Sequence, residues 1–408
     1  MKIKYNLYSV YLFFTILIIT YSSCMAFENQ RAKSTLEALG YGMLLFGILV
    51  SFFKWRKKYR IEAIRFASIL LPLLSVGIAV QELSILRKIT VIVIMVTIII
   101  IIVFSENYLR GPRAFKTMSY GCFFGVVLSS ITCIFLNLSL IGGVEESVMG
   151  WDIYFNGGIQ YKNVATMMIA IIISLYLYKK EKGYISKTDE CVIFISFIVL
   201  IASLSRGAWI HFLVFFLMTQ YRKIRNIKKS QRKAFSLIVF LVCVFVGIYI
   251  YENLIMLSGT YMFRYRGLVN YLTMFSVDKF YMIFGSAEIF YDKELDYVQT
   301  FRSITGWDGS MEIAWLNIFI KTGLLGVIGF VLIFIRYFKF VFNTDDYKQR
   351  TYLLAMIVMM LGTSMVATYI EEVHSLFGIY VYLLMSYYVG RIRNNNRYYN
   401  GNKRYLNE

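Results

Sequence analysis

Several separated stretches of this 408-residue chain carry side chains able to grip an anion or move a proton. The first is Ser203-Leu204-Ser205-Arg206-Gly207-Ala208-Trp209, where a guanidinium is bracketed by small residues between two apolar runs. An arginine inside a bilayer costs about 2.5–3.5 kcal/mol on insertion scales unless it is paired or wet, so the default reading is functional. Snorkelling to the headgroups is the alternative. The second stretch holds Arg264 and Arg266, two positions apart. A helix would send them to different faces, whereas an extended chain lets both reach one anion.

Candidate proton-transfer groups lie further along. Glu312 stands just ahead of an apolar run, where a carboxylate could take a proton from a hydroxyl or simply favour a helix start. Glu371 and His374 are three apart, on one face if helical, and form a second acid–base pair. Tyr161, Lys162 and Asn163 put a cation and an amide at the start of another run, a place where anions are readily held. His211 sits in an apolar stretch beside Trp209 and reads as a hydrogen-bonded core residue. Tyr291, Tyr297, Phe301 and Trp307 could stack on sugar rings, although aromatic residues are common at membrane interfaces in any case.

Other chemistries lack their residues. Two histidines are too few for a multi-histidine zinc site. The five cysteines, Cys24, Cys122, Cys133, Cys191 and Cys243, occur singly with no CxxC pair, so neither a disulfide framework nor a thiolate metal site is indicated. There is no Walker loop, dinucleotide fingerprint or Asp-x-Asp pair. Phosphate would have to be handled by arginine and lysine, with no cofactor or metal.

The elements that position these groups follow from composition. With 58% hydrophobic and only 16% charged residues, the chain is too apolar for a soluble globule. Apolar runs fall at about 5–27, 36–53, 62–80, 89–104, 118–141, 163–178, 188–204, 208–221, 235–257, 313–335, 351–369 and 375–390. The expected fold is an all-α, polytopic transmembrane helix bundle of about 12 spans, a single integral-membrane domain over 1–408. One large outer loop, 252–312, would contain interfacial helices. The first run is read as an uncleaved helix rather than a signal peptide.

Net charge is +19, but the excess is dealt out in packets between apolar runs, unlike the single basic face of a nucleic-acid binder. With the N-terminus inside, 30 basic residues fall in inner segments and 11 in outer ones, which places both termini in the cytoplasm. The packets themselves read as orientation and anionic-lipid contact. The runs flanking Arg206 hold about 14 strictly apolar residues each, spanning ~21 Å of a ~30 Å hydrocarbon slab. That predicts a ledge recessed below the outer surface. Gly323, Gly326 and Gly329 read as a small-residue stripe for close helix packing.

Ser205-Arg206-Gly207-Ala208 after a hydrophobic helix, Tyr161-Lys162-Asn163-Val164-Ala165 upstream, an arginine opening a large outer loop, and the exit into Thr322-Gly323-Leu324-Leu325-Gly326 together resemble the O-antigen polymerase and ligase superfamily. The resemblance covers roughly residues 155–340. It implies a glycosyltransferase acting at the periplasmic face of the bacterial inner membrane on undecaprenyl-pyrophosphate-linked oligosaccharides, with no metal or nucleotide. Arg206 and Arg266 match the arginines that would hold the pyrophosphate. Ligases commonly place a histidine where Glu312 stands here, so the resemblance points to the polymerase and nominates Glu312 as the base. A separate chain-length regulator protein is the partner it leads one to expect. Ligase and flippase activities are the alternatives.

Overall fold

The computed structural model describes residues 6–28, 31–143, 153–160, 163–225, 269, 279–288, 313–364, 370 and 376–405. The fold is an all-α bundle, in which six of the described helices are long and apolar enough to cross a membrane. Its helices are α1 (Leu7–Tyr21), α2 (Arg31–Phe53), α3 (Lys57–Val80), α4 (Ile85–Phe104), α5 (Arg113–Phe135), α6 (Asn163–Lys182), α7 (Lys187–Ala202), α8 (Arg206–Arg225), α9 (Lys279–Phe284), α10 (Ala314–Phe342), α11 (Tyr347–Thr363) and α12 (Leu376–Tyr405). Eleven of the twelve apolar runs lie on these helices; the run at 235–257 is outside the described residues. So is nearly all of 252–312, apart from Val269 and 279–288. The end at which α1, α3 and α5 begin is called the lower end, and the opposite one the upper end.

Sequence pattern decides which helices sit inside. α6 is apolar or small around most of its circumference, and 78% of its most apolar window is buried, against 28% for α2 and α3. The outer helices bury one stripe only, such as Leu44, Ile48 and Phe52 on α2. They leave Phe46, Val50 and Phe53 exposed on the other side. A rim of bare apolar side chains fits a bilayer and not water. α5 lies along α1 because Gly121 and Gly125 remove the side chains that would collide. A Cβ at Gly125 would stand 2.6 Å from Thr20 Cβ, the close approach that a small-xxx-small pattern permits.

The lower end is tied by ion pairs. Glu106, in the α4–α5 connection and 3% exposed, accepts from Arg336 at 2.5 Å and forms an ion pair with Arg393 at 3.2 Å; Arg393 also donates to Glu62 at 2.9 Å. Arg391 pairs with Glu181. Asp189 closes a capping box with Ser186 at the start of α7 and takes Lys116 of α5 at 2.9 Å. Some residues of the basic packets are therefore internal ties between helices.

Two local expectations change. The apolar run to 141 stops being helical at Phe135, because Asn137 adopts φ +55 and Leu138 N–H returns to Cys133 O at 2.8 Å, an asparagine helix stop. Beyond it, Ile141–Gly143 (β1) pairs antiparallel with Ile153–Phe155 (β2), Gly142 opposite Tyr154. This small ribbon at the upper end was not anticipated. Nor was the approach of two cysteines that are far apart in sequence: Cys24 Sγ and Cys133 Sγ lie 3.8 Å apart, both fully buried.

Candidate functional site

The turn between α7 and α8 presents the first candidate group. Ser203 caps α7, donating from Oγ to Leu200 O at 2.7 Å. Leu204 then takes φ +48, a left-handed conformation that costs a non-glycine residue energy and concentrates at functional turns. Trp209 N–H returns to Ser205 O, so α8 starts with Arg206 as its first residue. The first N–H groups of a helix have no intrahelical partner and lie at the positive end of its dipole. α7, with 16 residues, covers ~24 Å, short of a hydrocarbon slab as expected. α8 is longer than its apolar run, 20 residues, because the helix continues through the polar Tyr221–Arg225.

α10 departs from the straight packed helix expected at Gly323. This residue has φ 66, ψ −165, in a region that is essentially glycine's alone. The chain reverses there into two arms, Ala314–Thr322 and Leu324–Phe342. The ring of Trp315 comes to 6.0 Å from that of Phe334, and a Cβ on Gly326 would stand 3.5 Å from Ile318 Cγ2. Gly329 does pack closely as foreseen, against Leu74 of α3. Gly323 instead makes a reversal, and Gly326 lets the two arms touch.

The tip of this hairpin is held by side chains that the sequence reading did not single out. Gln81, at the end of α3 and 2% exposed, donates from Nε2 to Phe284 O at 2.7 Å and Lys321 O at 2.9 Å, and accepts at Oε1 from Ala287 N–H at 2.9 Å. Ser286 N–H donates to Ile320 O at 2.6 Å. Glu288 accepts from Glu82 N–H at 2.6 Å and from Ser286 Oγ at 2.9 Å. Gly285, at φ +80, fits because a Cβ there would lie 2.6 Å from Ile320 O. The last carbonyls of the first arm thereby find donors, as a helix end buried from water requires.

At its other end, the first arm starts against α11. Ala314 N–H donates to Ser364 O at 3.0 Å, and Trp315 Nε1 donates to Ser364 Oγ at 2.7 Å. α11 lies along α8, and His211, one turn into α8, stacks on Phe377 at the start of α12, ring centres 5.5 Å apart. Tyr382 of α12 donates to Ile370 O at 3.1 Å. The first arm thus starts at the end of α11, and α12 starts beside α8 about one turn in from its first residue. His211, Asn317, Ser203 and Ser364 are each buried. Each of these helix N-termini favours negative charge.

Of the groups singled out in the sequence, Arg206 opens α8 and Asn163 opens α6, where its carbonyl accepts from Thr166 Oγ1 at 2.8 Å. Just ahead of α6, Gln160 accepts from Lys33 Nζ at 2.6 Å. Tyr161, Lys162, Arg264, Arg266, Glu312, Glu371 and His374 lie outside the described residues. Glu312 directly precedes Ile313, and Glu371 follows Ile370. His211 is buried and ring-stacked, in line with a core role. No family model and no curated protein sequence matches the chain.

Proposed function

We propose that this chain is a membrane glycosyltransferase that polymerises lipid-linked oligosaccharide repeat units. It would move the growing glycan from undecaprenyl pyrophosphate onto a sugar hydroxyl of the next lipid-linked unit at the periplasmic face. The observation that carries this reading is the turn between α7 and α8, where Leu204 takes a left-handed conformation and Arg206 opens a helix. A helix N-terminus that begins with an arginine suits a diphosphate, and the motif order around it resembles that of the polymerases. In this reading the bundle has about 12 spans, both termini are cytoplasmic, the upper end faces the periplasm, and 252–312 forms an outer loop.

Arg206 and Arg266 would grip the pyrophosphate through paired N–H donors. They would stabilise the negative charge that grows on it as the bond to the anomeric carbon breaks. Glu312 would take the proton of the attacking hydroxyl, with Arg264, Tyr161, Lys162, Asn163, Glu371 and His374 holding the sugar and phosphate groups. The lipid diphosphate leaves as a stable anion, so the reaction calls for no cofactor. Holding two lipid-anchored substrates in register contributes as much as the proton transfer.

The test is chain growth by the purified protein in detergent or liposomes, supplied with authentic lipid-linked repeat and no membrane potential. Long chains are expected from the wild type and none from Arg206→Ala or Arg266→Ala present at equal amounts. Modal-length chains from either variant would defeat the residue assignment. Transfer to lipid A core in place of self-extension would make the protein a ligase. Movement of the lipid across the bilayer without chain growth would make it a flippase.

A further inference from the structure

We propose that Cys24 and Cys133 form a disulfide that staples the upper end of the bundle. Their sulfur atoms are 3.8 Å apart, and a bond at about 2.05 Å needs each thiol to swing by roughly half the difference. Both residues are already held by backbone. Met25 N–H donates to Gly158 O at 2.8 Å, Gln160 N–H donates to Ser23 O at 2.9 Å, and Cys24 pairs with Ile159 as an isolated bridge. On the other side, Cys133 Sγ contacts Gly158 O at 3.6 Å, and Cys24 Sγ contacts Ser129 O at 3.7 Å.

Three segments therefore meet at the sulfur pair: the α1–α2 connection, the last turn of α5, and residues 156–160, which lead into the start of α6. A bond there would fix the stretch that carries Asn163. All four described cysteines, Cys24, Cys122, Cys133 and Cys191, are free thiols in the structure, and only Cys24 and Cys133 lie within reach of each other.

The step is a thiol–disulfide exchange with the disulfide of a membrane-side oxidoreductase. The Cys24 thiolate attacks one of its sulfurs and displaces the other as a thiol. The Cys133 thiolate then attacks the mixed disulfide, so two protein thiols are oxidised and one oxidoreductase disulfide becomes two thiols. Because both sulfurs are buried in the finished bundle, the exchange takes place while α5 docks on α1. Burial afterwards shields the bond from reductants. The proposal rests on the orientation given above, which puts this end on the oxidising side.

Cells are quenched in acid, and the chain is denatured and alkylated without reductant. Three of its five cysteines should then be modified, and all five only after reduction. A peptide pair joining Cys24 to Cys133, lighter by two hydrogens than its separate parts, should be present. Cys24→Ser should leave four modifiable thiols without any reductant. Five modified thiols in unreduced wild-type chain would overturn the proposal. A fluorescent fusion after Glu408 reads the orientation independently. Dark fusions would locate the error in the orientation, and bright ones in the pairing.

Discussion

The indole of Trp315 lies 6.0 Å from the ring of Phe334, although a straight helix would hold positions that far apart in sequence roughly 28 Å from each other. The contact exists because Gly323 turns the chain back, so one apolar stretch supplies both a short arm and a long one. Gly323→Ala adds a methyl group aimed at the Ile283 carbonyl and asks alanine to hold φ 66. The expected loss is about 3 kcal/mol or more, read as a lowered thermal midpoint of the detergent-solubilised protein. An unchanged midpoint would mean that the reversal is not formed.

Gln81→Leu keeps the apolar bulk but strips partners from Phe284 O, Lys321 O and Ala287 N. At about 1–3 kcal/mol for each buried group left unpaired, the tip of the hairpin should open. Limited proteolysis should then cut near residues 279–288 well below the denaturant concentration that unfolds the bundle. Gln81→Glu retains the acceptor for Ala287 but sets a carboxylate oxygen against Phe284 O and Lys321 O, so it should open the tip at least as readily.

Glu106→Ala leaves Arg336 and Arg393, 12% and 7% exposed at their side chains, without their shared carboxylate. Removing one partner of a buried ion cluster costs about 3–5 kcal/mol. The expected outcome is a large fall in folded protein recovered from membranes. Glu62→Ala, which removes a carboxylate whose side chain is 57% exposed, should be tolerated far better.

Arg206→Lys separates charge from shape. Lysine restores the cation at the start of α8 but cannot offer a planar pair of N–H donors. Losing one charge-assisted hydrogen bond, worth about 1.5–3 kcal/mol, should slow chain growth tenfold or more while leaving the thermal midpoint within a degree or two. Wild-type rates would show that only the charge matters.

Helix placement was legible in the sequence because apolar runs and their basic punctuation report it directly. Asn163 was expected at the start of a helix and opens α6, whereas Arg206, expected in the turn between two helices, is the first residue of α8. The hairpin was not legible, since hydropathy counts apolar residues and is blind to direction; only Gly323, with Gly285 upstream, hinted at a backbone that leaves helical space. Gln81 was invisible for another reason. A lone polar residue at a helix end looks solvated until the 279–288 segment is laid over it. The lower-end ion pairs were hidden likewise, since a rule that tallies lysines and arginines ignores Glu62, Glu106 and Glu181.

Gln81 and Lys321 are separated by 240 positions, and that distance sets an order of assembly. A ribosome delivers α3 long before either segment it must clasp, so the Gln81 amide waits through most of translation with only water or lipid headgroups as company. Contacts spanning so much chain close late, and domains made first fold first. Chains cut short ahead of Ala314 would therefore insert their early helices yet never complete the clasp, since Lys321 would be missing, and quality-control proteases would meet them as unfinished work.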